Sequence, residues 1–139
     1  DADKGISSNT KALITARKLI LEKYFDDIKK NKEILANHYL GICNSLYKNN
    51  EFEEARKYSQ FLTKMYSRTS KDKKLLSKHL YSIGSNLCLD GNFSVGRKYL
   101  VEAAKKHPTN IKYLLKVFIS LFGKSFYENL YKFRGEKTK

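Results

Sequence analysis

The chain has 139 residues, of which 41% are apolar and 13% aromatic, so it can bury a core and is not a disordered chain. No apolar run approaches the roughly 18 residues that a membrane span needs. The sequence has 28 Lys and Arg against 14 Asp and Glu, a net charge of +14, with one proline and seven glycines. So few breaking residues favour helices joined by short loops over a β-sandwich.

The first predicted helix follows an extended lead-in over residues 1–8 and is capped by Ser8 or Asn9. A polar break over residues 26–31 follows it. The apolar stripe of this helix, which we expect to face the core, consists of Leu13, Ala16, Ile20 and Tyr24.

The next helices come in pairs. A second helix ends at Asn49-Asn50, and a third begins at Phe52. The segment 67–74, SRTSKDKK, is predicted as a loop, and a fourth helix starts at Leu75. The turn 90–92, Asp-Gly-Asn, leads into a fifth helix that stops at His107-Pro108.

The C-terminal part of the chain begins with a sixth helix over residues 111–122, capped by Asn110. A last short helix and a charged tail follow it. The apolar side chains of the sixth helix expected to face inward are Leu114, Val117, Phe118 and Leu121, and those of the last helix are Phe126, Leu130 and Phe133.

An internal repeat links the two helix pairs. Phe52 and Phe93 begin the second helix of each pair, and subtraction places them 41 residues apart. The residues predicted to pack the repeat are Tyr39, Ile42, Cys43, Leu46, Ala55, Leu80, Ile83, Gly84, Leu87, Gly91, Gly96, Ala103 and Pro108. Small residues in this set allow two antiparallel helices to approach closely, and each pair must stack on the next to bury its apolar face.

These residues resemble the tetratricopeptide repeat family, whose unit is a helix pair of about 34 residues. The resemblance implies about seven extra residues in the loop 67–74 and an antiparallel helix-pair, right-handed superhelical fold of about six to seven helices. The second unit follows the family pattern well. The first unit departs from it at Ser59, where an aromatic residue is usual, and at Leu62, where a small one is usual.

The sequence contains no catalytic, cofactor-binding or metal-binding constellation that we can identify. Cys43 and Cys88 read as reduced core residues, and the three histidines lack further ligands at metal-binding spacing. Asp1 and Asp3 spell Asp-x-Asp, but outside a nucleotide-binding strand this pattern is coincidental. We therefore predict no cofactor and no enzymatic activity for this segment.

Basic residues concentrate at the C-terminal end: residues 105–139 carry nine Lys and Arg against two Glu. A solvated face explains them most simply, and an anionic membrane surface is an alternative. Nucleic acid is disfavoured because the aromatic residues fall on the apolar stripes. Some tetratricopeptide domains hold a partner's terminal carboxylate, and the resemblance assigns that role here to Asn44, Lys112 and Lys116, although Leu40 and Ser82 replace two polar members of the clamp.

The two ends of the chain resemble a family 2 glycosyltransferase. Gly5-Ile6-Ser7 is similar to the exit of its catalytic domain, and the segment from Gly91 onward is similar to a helical tail attached to many such enzymes. Because the chain begins at Asp1 and its only methionine is Met65, we expect a piece of a longer protein. The resemblance implies that the catalytic domain lies upstream.

Our prediction is thus a cytoplasmic C-terminal repeat domain that binds a protein partner or positions the catalytic domain, with the inner face of the membrane as an alternative location. Residues 1–31 would form the junction, 32–122 the helix pairs, and 123–139 a short helix and basic tail. The alternatives are a stand-alone adaptor that grips a peptide, and a basic module that binds nucleic acid or a membrane surface. The sequence leaves the oligomeric state open.

Overall fold

The structure, a computed structural model, describes residues 2–123, 125–126 and 128–129, with side chains from residue 8 onward. Within these residues it contains helices and no strand, which confirms the predicted all-α fold of six to seven helices. The helices are α1 (Ala2–Lys23), α2 (Phe25–Ile28), α3 (Lys32–Lys48), α4 (Phe52–Met65), α5 (Ser70–Leu89), α6 (Phe93–Lys106) and α7 (Ile111–Ser120).

The chain divides into two compact units, and the boundary along the sequence lies between Ser67 and Arg68. In the first unit α3 pairs with α4, α1 packs on α3, and the single turn α2 contacts α1 and α3. In the second unit α5 pairs with α6, and α7 packs on α6 and touches α5. The predicted helix-pair region 32–122 therefore contributes one pair to each unit.

The same turn closes both helix pairs. Asn50 and Gly91 adopt positive φ angles of 61° and 86°. The amide of the next residue donates to a carbonyl in the last turn of the first helix: Glu51 to Leu46 at 2.9 Å, and Asn92 to Leu87 at 2.8 Å. The amides of Asn50 and Gly91 also donate backward, to Tyr47 and Cys88. These paired bonds form a Schellman motif, which stops the first helix and reverses the chain within three residues.

Small residues mark the closest approach of the two helices in each pair. A Cβ atom added to Gly84 would lie 2.8 Å from the carbonyl oxygen of Gly96, and one added to Gly96 would lie 2.8 Å from the sulfur of Cys88. In the first unit Cys43 and Ala55 occupy the equivalent positions, and the Cys43 thiol donates to the Ala55 carbonyl at 3.3 Å. Both units thus have small residues where their two helices come closest.

The other predicted packing residues divide between core and turn. Pro108 and Gly91 are exposed, and Tyr39 stacks against Phe61 with ring centroids 5.3 Å apart. The side chains buried in the core are Ile42, Cys43, Leu46, Ala55, Leu80, Ile83, Leu87 and Ala103. At the two positions where the first unit departs from the family pattern, both Ser59 and Leu62 are buried.

Two predicted boundaries were wrong. The lead-in is not extended, because α1 already begins at Ala2 and no proline interrupts it; Gly5 alone costs a helix only about 1 kcal/mol. Residues 70–74 are helical rather than loop, because the Thr69 side chain accepts from the Asp72 amide at 3.0 Å and caps α5 early. Part of the extra length of the repeat therefore lies in α5, which has 20 residues against 17 in α3.

The predicted inward stripe of α1 was also wrong. Leu13, Ala16, Ile20 and Tyr24 are exposed, and Ile14 is the buried apolar residue of this helix. The face that packs carries Arg17 and Lys18, and Lys18 pairs with Glu54 on α4. A stripe defined by apolar spacing alone misses this face because its contact with α4 is ionic. The last predicted helix lies partly outside the described residues, which include Phe126 but neither Leu130 nor Phe133.

Candidate interaction surface

Helix α7 is fixed at both ends. The Asn110 side chain accepts from the Lys112 amide at 3.1 Å and caps its first turn. At the other end Arg97 of α6 donates to the Ser120 hydroxyl at 3.2 Å and to the Ser120 carbonyl at 2.9 Å. A guanidinium on the last carbonyls of a helix is favourable for the helix dipole. These bonds set which face of α7 turns toward α6.

The inward face of α7 is unusually polar for a packed helix. It buries Tyr113, Lys116 and Ser120, of which Lys116 is only 6% exposed. The Lys116 ammonium lies 6.0 Å from the centroid of the Tyr81 ring on α5, and that ring lies 4.7 Å from the Tyr113 ring. A cation over an aromatic face is attracted by the ring quadrupole, so these side chains hold α7 by polar as well as apolar contacts.

The outward face of α7 is apolar and exposed. Phe118 is 58% exposed, and its ring lies 5.1 Å from that of Phe122, which lies 5.1 Å from that of Phe126. We call this set the α7 outer face: Ile111, Leu114, Leu115, Phe118, Leu121 and Phe122. The prediction that Leu114, Phe118 and Leu121 face the core was wrong; only Val117 of that stripe is half-buried. The polar contacts of the opposite face account for this orientation.

The sequence around the outer face is strongly biased in charge. From Ala103 to Tyr127 it contains no acidic residue and five lysines. Among these lysines Lys105 and Lys112 are exposed, Lys106 is half-buried, and Lys116 points inward. Lys105 pairs with the exposed Glu102 at 3.3 Å. An exposed apolar face therefore lies on a helix flanked by positive charge.

The three residues predicted to hold a partner's carboxylate belong to different elements. Lys112 and Lys116 lie on α7 in the second unit, and Asn44 lies on α3 in the first. Lys112 is exposed, whereas the inward Lys116 lies over the Tyr81 ring. The two lysines, although four residues apart, thus face different surroundings.

The buried cysteines have no features of reactive thiols. Burial raises the pKa of the Cys43 thiol to about 12. Burial raises the pKa of Cys88 to about 11, although the positive charges of Arg97 and Lys116 act to lower it. A reactive cysteine needs a thiolate at neutral pH, so these two behave as core residues. Among the described residues no group of three His, Cys, Asp or Glu side chains is placed to hold a metal ion.

The α7 outer face is the feature that sequence reasoning missed. Its residues were recognised by their spacing, but a helical period cannot tell which face meets the protein. A second group of residues on the same helix, Tyr113, Lys116 and Ser120, also has helical spacing. This polar group was the sequence signal that could have indicated the buried face.

Comparison with models of known protein families finds no match, and comparison with curated proteins finds none. None of the helices in the described part of the chain combines the length and the apolar character needed to cross a bilayer.

Proposed function

We propose that this chain is a non-catalytic helix-pair repeat domain of the tetratricopeptide kind, which binds a protein partner or positions a glycosyltransferase catalytic domain. The observation that carries the proposal is the duplication of one helix hairpin. Two pairs 41 residues apart share the Schellman turn at Asn50 and Gly91 and the close contact at Cys43 and Gly84. Repeated helix pairs are a common architecture for binding surfaces.

The glycosyltransferase context rests on the resemblance of the two ends of the chain to that family. Under this proposal a separate catalytic domain would supply the chemistry. In this proposal the parent enzyme is cytoplasmic, and the repeat domain brings it to its partner or acceptor.

The test compares three proteins in a sugar-nucleotide turnover assay: this chain alone, the parent protein, and the parent protein ending before Asp1. We expect no turnover by this chain alone. The truncated parent should still hydrolyse its donor but lose transfer to its own acceptor at least tenfold.

Either of two results would contradict the proposal: turnover by this chain alone, or full acceptor transfer by the truncated parent. The reading frame upstream of Asp1 provides an independent check, because a catalytic domain of this class requires alternating strands and helices with an internal Asp-x-Asp.

A peptide-binding adaptor is the second candidate, and the exposure of Lys112 favours it. An adaptor of this kind would bind a peptide with a free terminal carboxylate and would not bind the amidated peptide. Replacing Lys112 with Ala would weaken that preference, because one ammonium that meets the carboxylate would be lost.

A further inference from the structure

We propose that the α7 outer face is a contact surface for an anionic phospholipid bilayer. The first ground is its orientation. The face consists of large apolar side chains that are 46–77% exposed, on a helix whose polar face is fixed to the protein by Arg97 and Lys116. An ordinary surface helix turns its main apolar stripe inward, whereas α7 packs Val117 and Ile119 against the core and leaves its larger apolar stripe exposed.

The second ground is charge. The 25 residues from Ala103 to Tyr127 carry no carboxylate and five lysines, of which Lys105 and Lys112 are exposed and Lys106 is half-buried, and the whole chain carries +14. An anionic bilayer offers negative headgroups and an apolar interior side by side. Helices that lie in the bilayer interface combine an apolar face with flanking lysines in this way.

The third ground concerns the alternative of a second copy of this chain. A standard protein interface uses about 20–30 residues on each side. The α7 outer face supplies six, four on a helix of ten residues that is roughly 15 Å long and two directly after it. Two copies that each carry +14 would also repel one another. The same charge attracts an anionic bilayer, which requires no shape complementarity.

This inference goes beyond the proposed function, since a bilayer contact at α7 requires neither an upstream glycosyltransferase nor a peptide partner. The side chains expected to enter the headgroup region are those of Phe118 and its neighbours on the outer face. The exposed Lys112 and the half-buried Lys106 would then lie near the phosphates.

The test uses tryptophan as a depth probe, since the chain contains none. Phe118→Trp places the probe on the outer face. Leu75→Trp is the matched control, an exposed apolar residue on α5 of the same unit. Each protein is mixed with vesicles of phosphatidylcholine and phosphatidylserine that contain brominated phosphatidylcholine. We expect a blue shift and strong quenching at position 118 and neither at position 75.

Charge is tested with lysine variants in a vesicle co-sedimentation assay. Lys106→Gln with Lys112→Gln should weaken binding to anionic vesicles about fivefold for each lysine removed. The matched control, Lys73→Gln with Lys74→Gln, removes the same charge from exposed positions in the first turns of α5 and should weaken binding much less. Helical circular dichroism of every variant checks that it is folded.

Four results would overturn the inference. The first is an absence of quenching at position 118 with anionic vesicles. The second is a blue shift that grows with protein concentration without vesicles, which would assign the face to a second copy. The third is a blue shift without vesicles at every protein concentration, which would mean that another part of the same chain covers the α7 outer face. Equal binding to pure phosphatidylcholine vesicles would remove the role given to the lysines and contradict the anionic surface.

Discussion

Cys43 lies where α3 and α4 come closest, and Gly84 takes the same place between α5 and α6. The two units fill this position differently because their partners differ. Ala55 accepts a bond from the thiol and leaves room for the sulfur, whereas a Cβ on Gly84 would lie within 2.8 Å of both the Gly96 carbonyl and Leu100. Because a close helix crossing admits few side chains, the small residues of the sequence are the signal that indicates such a position.

The Cys43 thiol also makes stability depend on pH. Burial raises its pKa in the folded protein to about 12 from an ordinary value of 9.0. A raised pKa means that the contribution of the thiol is complete below pH 9 and is lost as the pH rises toward 12. The free energy of unfolding should therefore fall between pH 7.5 and 10.5, by about 2 kcal/mol from this group.

Urea unfolding of the wild type and of Cys43→Ala, both under reducing conditions, measures this difference. The variant should lose about 2 kcal/mol less than the wild type over the interval, since the tyrosines and Cys88 titrate in both proteins. A slope with pH that is the same in both would show that the thiol is not protected in the folded state.

At the scale of the elements, the Schellman turns give the most direct prediction. Gly91 has a φ of 86°, where an L side chain is strained, and Asn50 occupies the same place in the first unit at 61°. Gly91→Ala should therefore reduce the free energy of unfolding by about 1–2 kcal/mol. Asn50→Gly should leave it unchanged or raise it by up to about 1 kcal/mol.

Chemical denaturation of the two variants measures both effects. The matched control is Asp90→Ala, one residue before Gly91, where φ is −80° and alanine fits without strain. Its effect should stay within about 0.5 kcal/mol. A loss for Asp90→Ala as large as that for Gly91→Ala would mean that backbone strain is not the cause.

The helices differ in how far the sequence determines them. The bounds of α4 and α6 follow from Phe52, Phe93 and the His107-Pro108 stop, because turns and caps are local signals. The buried faces of α1 and α7 do not follow from the sequence, although their periods are clear. Each helix has a second face that packs through a lysine, Lys18 in α1 and Lys116 in α7. A prediction from the spacing of apolar residues does not detect such a face. The sequence therefore identified apolar residues of the α7 outer face but wrongly predicted that they face the core.

At the scale of the whole molecule, the charge is the dominant property. Twenty-eight basic residues face 14 acidic ones, and the ion pairs Lys29–Asp26, Lys30–Asp27 and Lys105–Glu102 are largely exposed. Exposed pairs of this kind contribute little to stability. The excess positive charge repels itself in the folded state, which confines it to a smaller volume than the unfolded chain.

Salt should therefore stabilise the fold. Between 10 and 150 mM NaCl the screening length falls from about 30 Å to about 8 Å, so repulsion between exposed charges farther apart than this is largely screened. We expect the Tm to rise by roughly 2–4 °C, the shift that about 1 kcal/mol produces in a chain of this size. Thermal unfolding followed by circular dichroism measures this rise.

The variant Lys73→Glu with Lys74→Glu lowers the net charge from +14 to +10 at exposed positions, since each change lowers the net charge by two. Its Tm should rise less over the same interval because there is less repulsion to screen. An equal rise in both proteins would mean that salt acts through something other than the net charge.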